Sequence, residues 1–152
     1  MKQKRQLKTI GRRDKIDLPE LGLFDIEAKI DSGAFGCALH CHEMEEVYKN
    51  GKKILRYKLL DPGHPIYNNK QQETSFFGTK KVKSSNGQFE DRYTIQTEIV
   101  LFSKSYKLEF SLTNRNEMKY PILLGRQFLK NRFVVDVAVK DLSYKKKSKP
   151  GK

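Results

Sequence analysis

Phe24-Asp25-Ile26-Glu27-Ala28-Lys29-Ile30-Asp31-Ser32-Gly33-Ala34 decides how this chain reads. Apolar side chains fall on every second position up to Ile30, the period of a half-buried strand. That strand delivers a carboxylate, a hydroxyl and a glycine into a tight turn, where glycine lets the backbone bend close to whatever the carboxylate faces. Taken alone, Asp31-Ser32-Gly33 is an ordinary turn sequence. Asp and Ser bond their own backbone, and Gly supplies positive φ. A second apolar strand ending in glycine, Tyr120-Pro121-Ile122-Leu123-Leu124-Gly125-Arg126, lies far downstream.

Outside those stretches the periodicity is β throughout. Asn50-Gly51, between Val47-Tyr48 and Ile54-Leu55, is the dipeptide favoured in two-residue hairpins. Asn86-Gly87 marks another turn, between Lys80-Lys81-Val82 and Tyr93-Thr94-Ile95. Leu108, Phe110 and Leu112 alternate with polar neighbours, and Ser103-Lys104-Ser105 is read as the break before that strand. Asp61 to Glu73, with its Pro, Gly and Asn residues, reads as a long irregular loop. Arg126 to Asn131 suggests a short helix, and Phe133-Val134-Val135 a closing strand. Many short strands separated by turn signals predict an all-β fold, a closed or partly closed β-barrel with one short helix near the C-terminus.

The chain has 152 residues, enough for one domain with a real core. Its formal net charge is +13. Three basic residues in Met1 to Arg5 and five lysines in Lys145 to Lys152 read as solvated arms. Without those eight charges the remainder still carries +5. The expected organisation is an arm over 1–7, a barrel domain over 8–142 and a disordered basic tail over 143–152. No apolar run approaches the ~20 residues of a membrane helix, and the basic N-terminus lacks the apolar stretch of a signal peptide. The expectation is a cytoplasmic chain with no membrane partner, in which Cys37 and Cys41 are reduced thiols.

Ile30-Asp31-Ser32-Gly33-Ala34 together with Ile122-Leu123-Leu124-Gly125-Arg126 resembles the retropepsin-type aspartic proteases. In that family the first segment carries the catalytic aspartate, and the second packs beneath it as a crossing strand. Leu18 to Leu23, Ala28 to His40, Ser84-Ser85-Asn86-Gly87, Arg92-Tyr93 and Met118 to Leu129 are similar to one bacterial branch that carries the label ATP-dependent zinc protease. The resemblance runs from about Ile10 to Asp136. It implies Asp31, Ser32 and Gly33 as catalytic residues, with Ala34, Leu124, Gly125 and Arg126 supporting them.

The chemistry needs two carboxylates that share a proton, one activating water and the other protonating the substrate. This chain has one Asp-Ser-Gly, and its nearest lookalike, Asp61-Pro62-Gly63, lacks the hydroxyl. The second aspartate must therefore come from a second copy, so a homodimer is expected. Phe35 stands where the best-known retropepsins carry an acid, which leaves the partner of Arg126 unassigned. Two segments are candidates for a flap over the site, the turn around Ser84 to Gly87 and Phe76-Phe77-Gly78.

Three other chemistries were weighed. Cys37-Ala38-Leu39-His40-Cys41-His42 holds four metal-ligand types in six positions. On a strand, however, the cysteines point one way and the histidines the other, so no metal site is expected. No Gly-x-x-x-x-Gly-Lys-Ser/Thr loop exists for a nucleotide, and no cofactor is expected. The basic charge with Tyr57, Tyr67, Phe76 and Phe77 raises nucleic acid as a rival partner, although those aromatic residues mostly alternate like core positions. An acidic peptide or protein substrate accounts for the same charge. Members of the family are associated with enzymes that add glutamate tails to proteins, and a basic cleft suits such a substrate. The function expected is an aspartic endopeptidase. The alternative is a protease-like fold kept for binding an acidic protein or nucleic acid.

Overall fold

The computed structural model describes residues 7–83, 86–114 and 120–148. In chain order these form β1 (Lys8–Gly11), β2 (Arg13–Leu18), β3 (Leu23–Ile30), β4 (Cys37–Lys49), β5 (Lys52–Leu59), β6 (Gln71–Thr74), β7 (Gly78–Lys83), β8 (Phe89–Leu101), β9 (Lys104–Thr113), β10 (Ile122–Leu124), α1 (Arg126–Leu129), β11 (Phe133–Asp136) and α2 (Leu142–Ser148). No described helix is long and apolar enough to cross a membrane.

Strands β3, β2, β8, β9 and β4 lie side by side in that order, and β10 pairs with both ends of the row. It runs parallel to β3, with Ile122 opposite Ala28, and antiparallel to β4, with Ile122 opposite Leu39. The six strands make a partly closed ring, since β2 and β8 share one residue pair, Asp17 with Val100. The all-β barrel expected from the periodicity is the fold observed. Alternation places Ile26, Ala28 and Ile30 of β3 and Leu108, Phe110 and Leu112 of β9 inside. Phe110, Phe128, Leu39 and Ile99 are essentially inaccessible. Each such side chain contributes about 1.5–3 kcal/mol by leaving water.

Two long strands serve two sheets each. The first half of β4 sits in the ring, and its second half extends outward to pair with β5, which carries β6 on its far edge. Likewise β8 pairs with β7 over Phe89–Thr94 and with β9 from Thr94 onward. Outside the ring, β1 and β11 pair in parallel.

The hairpin at Asn50-Gly51 has both residues at positive φ, 51° and 78°, as that dipeptide permits. The β8–β9 hairpin uses the same handedness at Phe102 (53°) and Ser103 (59°), so the turn begins one residue before the Ser103-Lys104-Ser105 break. The break therefore lies at 102–103, and Lys104 and Ser105 already belong to β9. The stretch Asp61 to Glu73 is irregular only up to Lys70, because Gln71–Thr74 adds to the edge of β5.

The tail expected over 143–152 is ordered through its described part. Its sequence is polar, yet β2 supplies what the first turn of α2 lacks, an acceptor for free backbone N–H groups. Asp14, fully buried, accepts the N–H of Ser143 at 2.9 Å, Tyr144 at 3.1 Å and its own neighbour Lys15 at 2.8 Å. Burial pushes the Asp14 carboxyl above its ordinary range, and the three N–H bonds oppose that shift. Buried Ser143 returns a bond through Oγ, which accepts the Phe102 N–H at 2.8 Å. Lys147 then bridges Asp17 and Asp25 on the surface, each at 2.8 Å.

Candidate active site

Strand β3 ends at Ile30 and hands Asp31 to a turn that β10 and α1 hold from below. The Asp31 N–H donates to the Leu124 carbonyl at 2.9 Å, and the Ala34 N–H donates back to the Asp31 carbonyl at 3.2 Å. One carboxylate oxygen, Oδ1, accepts the Gly33 N–H at 3.0 Å. Beyond the turn, the N–H groups of Arg126 and Gln127 donate to the carbonyls of Ala34 and Phe35 at 2.8 and 2.7 Å. The turn is thus tied at its start to β10, which is threaded between the two flanking strands, closed on itself through Gly33 and Ala34, and tied at its end to the first turn of α1.

Gly125 is where that threading is tightest. A Cβ there would come within 2.8 Å of the carbonyl oxygens of Ala34 and Phe35, and closer still to that of Gly36. The partner of Arg126 is a carbonyl and not an acid, since Nη1 donates to the Ser32 carbonyl at 2.9 Å. The structure therefore brings together all seven residues singled out in the sequence: Asp31, Ser32, Gly33, Ala34, Leu124, Gly125 and Arg126. Asp31 is half-buried, whereas Ser32 and Gly33 are exposed.

Asp31 opens onto a cleft of about 500 Å³. One wall is the β7–β8 hairpin, which presents Lys80, Lys81, Lys83 and Arg92; β9 contributes Glu109. Sequence reasoning did not assign these residues to the site. The Asn86-Gly87 turn that announced the hairpin was the available signal, and its strand pairing carries the lysines to Asp31. Of the two flap candidates, this hairpin is the one that lines the cleft, although Ser84 and Ser85 at its tip lie outside the described residues. Phe76 is exposed, and Phe77 packs edge-on against Tyr93. Lys80 reaches furthest over the turn. Its Nζ lies 3.6 Å from Glu109 and 6.0 Å from the centre of the Phe35 ring.

The Cys37 to His42 segment forms the inner half of β4, and its ligand types diverge. Cys41 is fully buried, and burial pushes its thiol far up. Cys37 borders the cleft, with its thiol also raised by burial. His42 contacts the Leu60 carbonyl through Nδ1 at 2.9 Å and the Tyr67 hydroxyl through Nε2 at 3.1 Å. His40 is buried with Nδ1 unpartnered, and burial lowers its pKa while nearby Asp61 opposes the shift. Among the described residues, no three His, Cys, Asp or Glu side chains are grouped to hold a metal ion.

Residues 9–146 match the sequence profile of a family described as retropepsin-like aspartic endopeptidase RimB. This chain belongs to the RimB-like family. The description names an aspartic endopeptidase and not a zinc enzyme. The RimB-like chain is also 34% identical over 131 residues to proteins of Shewanella halifaxensis and Shewanella pealeana named "Probable alpha-L-glutamate ligase". That match covers 84% of this chain and 28% of each relative, so the chain spans about a quarter of their length. Among solved structures, a Legionella pneumophila protein of unknown function is similar, with a TM-score of 0.71 and 27% identity. The match covers 91% of the RimB-like chain and 99% of the other.

Proposed function

We propose that this RimB-like chain is an aspartic endopeptidase that acts as a homodimer through two Asp31 carboxylates, on peptide segments rich in acidic residues. The observation that carries the reading is the placement of Asp31. Half-buried Asp31, its N–H bonded to the threaded strand and its carboxylate to the Gly33 N–H, opens onto a cleft of about 500 Å³. Aspartic-protease chemistry requires two such groups, and the turn that presents Asp31 also presents exposed Ser32 and Phe35 for contact with a second copy. Beside it lies an apolar groove of about 520 Å³, bordered by Ser32, Phe35, Leu129, Phe133 and Val135.

In the dimer the two carboxylates share one proton, because like charges at hydrogen-bonding distance cannot both ionise. The ionised one takes a proton from water as its oxygen adds to the scissile carbonyl carbon. The protonated one donates to the carbonyl oxygen, and collapse breaks the C–N bond with a proton delivered to the leaving amine. The bonds from Leu124 and Gly33 fix the carboxylate for this exchange. No metal or nucleotide takes part. Lys83, with Lys80, Lys81 and Arg92 alongside their own partners Glu109, Asp91 and Glu90, gives the cleft wall a charge that suits an acidic peptide, and the ligase names of the relatives point to the same chemistry of side chains.

The test combines cleavage of an acidic peptide library with mass measurement in solution. The parent should cleave and form dimers, whereas Asp31→Asn should stay dimeric without cleaving. Cleavage by Asp31→Asn as fast as the parent, or a parent that stays monomeric with substrate present, overturns the reading. Acidic peptides bound but left intact by the parent would favour the non-catalytic binding module.

A further inference from the structure

A second concavity, of about 310 Å³, lies at the far end of α1. It is lined by Lys8, Lys104, Arg132, Phe102, Tyr106 and Phe133, and also by Asn131. It holds three cations and no acid. None of Lys8, Lys104 or Arg132 meets a carboxylate among the described residues, whereas Lys49, Arg56 and Lys147 all do. Lys146 of α2 adds a fourth positive charge beside Lys8. A hydrogen bond with Lys146, and the charges of Lys146 and Lys104, lower the Lys8 pKa, and none of these lysines meets a carboxylate among the described residues.

This basic hollow is not isolated from the cleft. Gln127 borders the Asp31 cleft, and Gln127, Lys130 and Arg132 line a groove that meets the hollow at Asn131 and Arg132. A path of shared lining residues, with Lys130 and Arg132 as its cations, therefore leads from the cleft at Gln127, along α1, to Lys8 and Lys104. We infer that this path is a second binding site, an exosite for the acidic stretch of a peptide substrate that extends out of the Asp31 cleft. The inference rests on the proposed endopeptidase reading for its substrate, but it concerns different residues.

An acidic peptide suits the hollow better than nucleic acid does. Base binding by such sites relies on open aromatic faces. Here the rings are already covered by the protein's own cations and by one another. Lys8 Nζ stands 4.7 Å over the Phe102 ring, and Arg132 lies 5.6 Å from Tyr106 and 5.3 Å from Phe128. Phe102 stacks on Phe133, with ring centres 6.0 Å apart. What remains presented is positive charge on short reach, which matches closely spaced carboxylates.

The test measures binding of a fluorescently labelled ten-residue glutamate peptide to Asp31→Asn protein, which separates binding from cleavage. Lys8→Glu/Lys104→Glu should weaken binding roughly tenfold or more, as expected when two favourable charge contacts become repulsive. Lys8→Ala/Lys104→Ala should weaken it less, with an unchanged thermal midpoint. A control with the same charge change at the far hairpin tip, Lys52→Glu/Lys53→Glu, should bind nearly as the parent does. On cleaving protein, the first double variant should raise KM for long acidic peptides and spare a short peptide that fills only the cleft. Binding unaffected by Lys8→Glu/Lys104→Glu, or weakened equally by the control, overturns the exosite. A ten-residue RNA that binds more tightly than the peptide and loses affinity with the same variant overturns the assignment to peptide. Absence of all cleavage alongside the expected binding pattern would fail the endopeptidase reading and leave the exosite standing.

Discussion

Gly125 lies directly against the Gly36 carbonyl, with the Ala34 and Phe35 carbonyls crowding the same spot. The contacts are to backbone, which cannot swing aside as a flexible side chain can. Gly125→Ala should therefore destabilise the domain by about 1–3 kcal/mol, the usual cost of overpacking, and Gly125→Val by more. Urea unfolding checks this. A midpoint equal to the parent's would mean that β10 does not press on the turn.

Arg126 separates positioning from folding. It is exposed and its bond to the Ser32 carbonyl is a single surface contact, so Arg126→Ala should cost about 1 kcal/mol or less in stability. If the turn aims Asp31 for catalysis, the same change should lower kcat roughly tenfold or more with little change in KM.

The C-terminal segment should show a sharp threshold. Ending the chain after Tyr144 removes Lys147 and its bridge to Asp17 and Asp25, an exposed interaction worth about 0–1 kcal/mol. Ending it after Lys140 removes the two α2 N–H groups that Asp14 accepts and the hydroxyl that Phe102 uses. That leaves a buried carboxylate short of partners, at a cost of about 1–3 kcal/mol or more. Thermal midpoints of the two truncations should differ by many degrees. Equal midpoints would show that α2 is not docked.

His40 sets an acid limit. Its folded-state pKa is lowered from the ordinary 6.5, chiefly by burial. The unfolded chain therefore takes up a proton near pH 6.5 that the folded chain resists. The stability tied to this residue is present above 6.5 and is lost as pH falls through and below that value. Unfolding measured between pH 8 and 5 should show this decline. His40→Gln should flatten it in proportion to the His40 contribution, and an unchanged slope would place the acid sensitivity elsewhere.

The parts of the fold written in local sequence were readable. The alternation in β3 and β9, the Asn50-Gly51 turn and the short helix after Gly125 each follow from neighbours in the chain. The candidate site was readable as two motifs, Asp31-Ser32-Gly33 and Leu124-Gly125-Arg126, because their pairing resembles the retropepsin arrangement; the first alone reads as a turn. What stayed hidden depends on distant partners. Nothing in Leu142 to Ser148 announces that Asp14, far upstream, will accept its N–H groups. The turn begins at Phe102, a residue with no turn preference of its own, because the pairing of the strands it joins imposes the conformation. The lysines of β7 were visible only as the flank of the Asn86-Gly87 turn, and the pairing with β8 brings them to the cleft.

The threaded strand also sets an order of events during synthesis. β3 and β4 emerge from the ribosome first, but β10, which pairs with both, is made only after β5, β6, β7, β8 and β9. Until then those two strands have open edges, the kind of surface on which one chain pairs with another. Closing the ring joins segments far apart in sequence, which is intrinsically slow. A three-residue strand thus keeps two earlier strands waiting, unprotected, until all the strands between have been made.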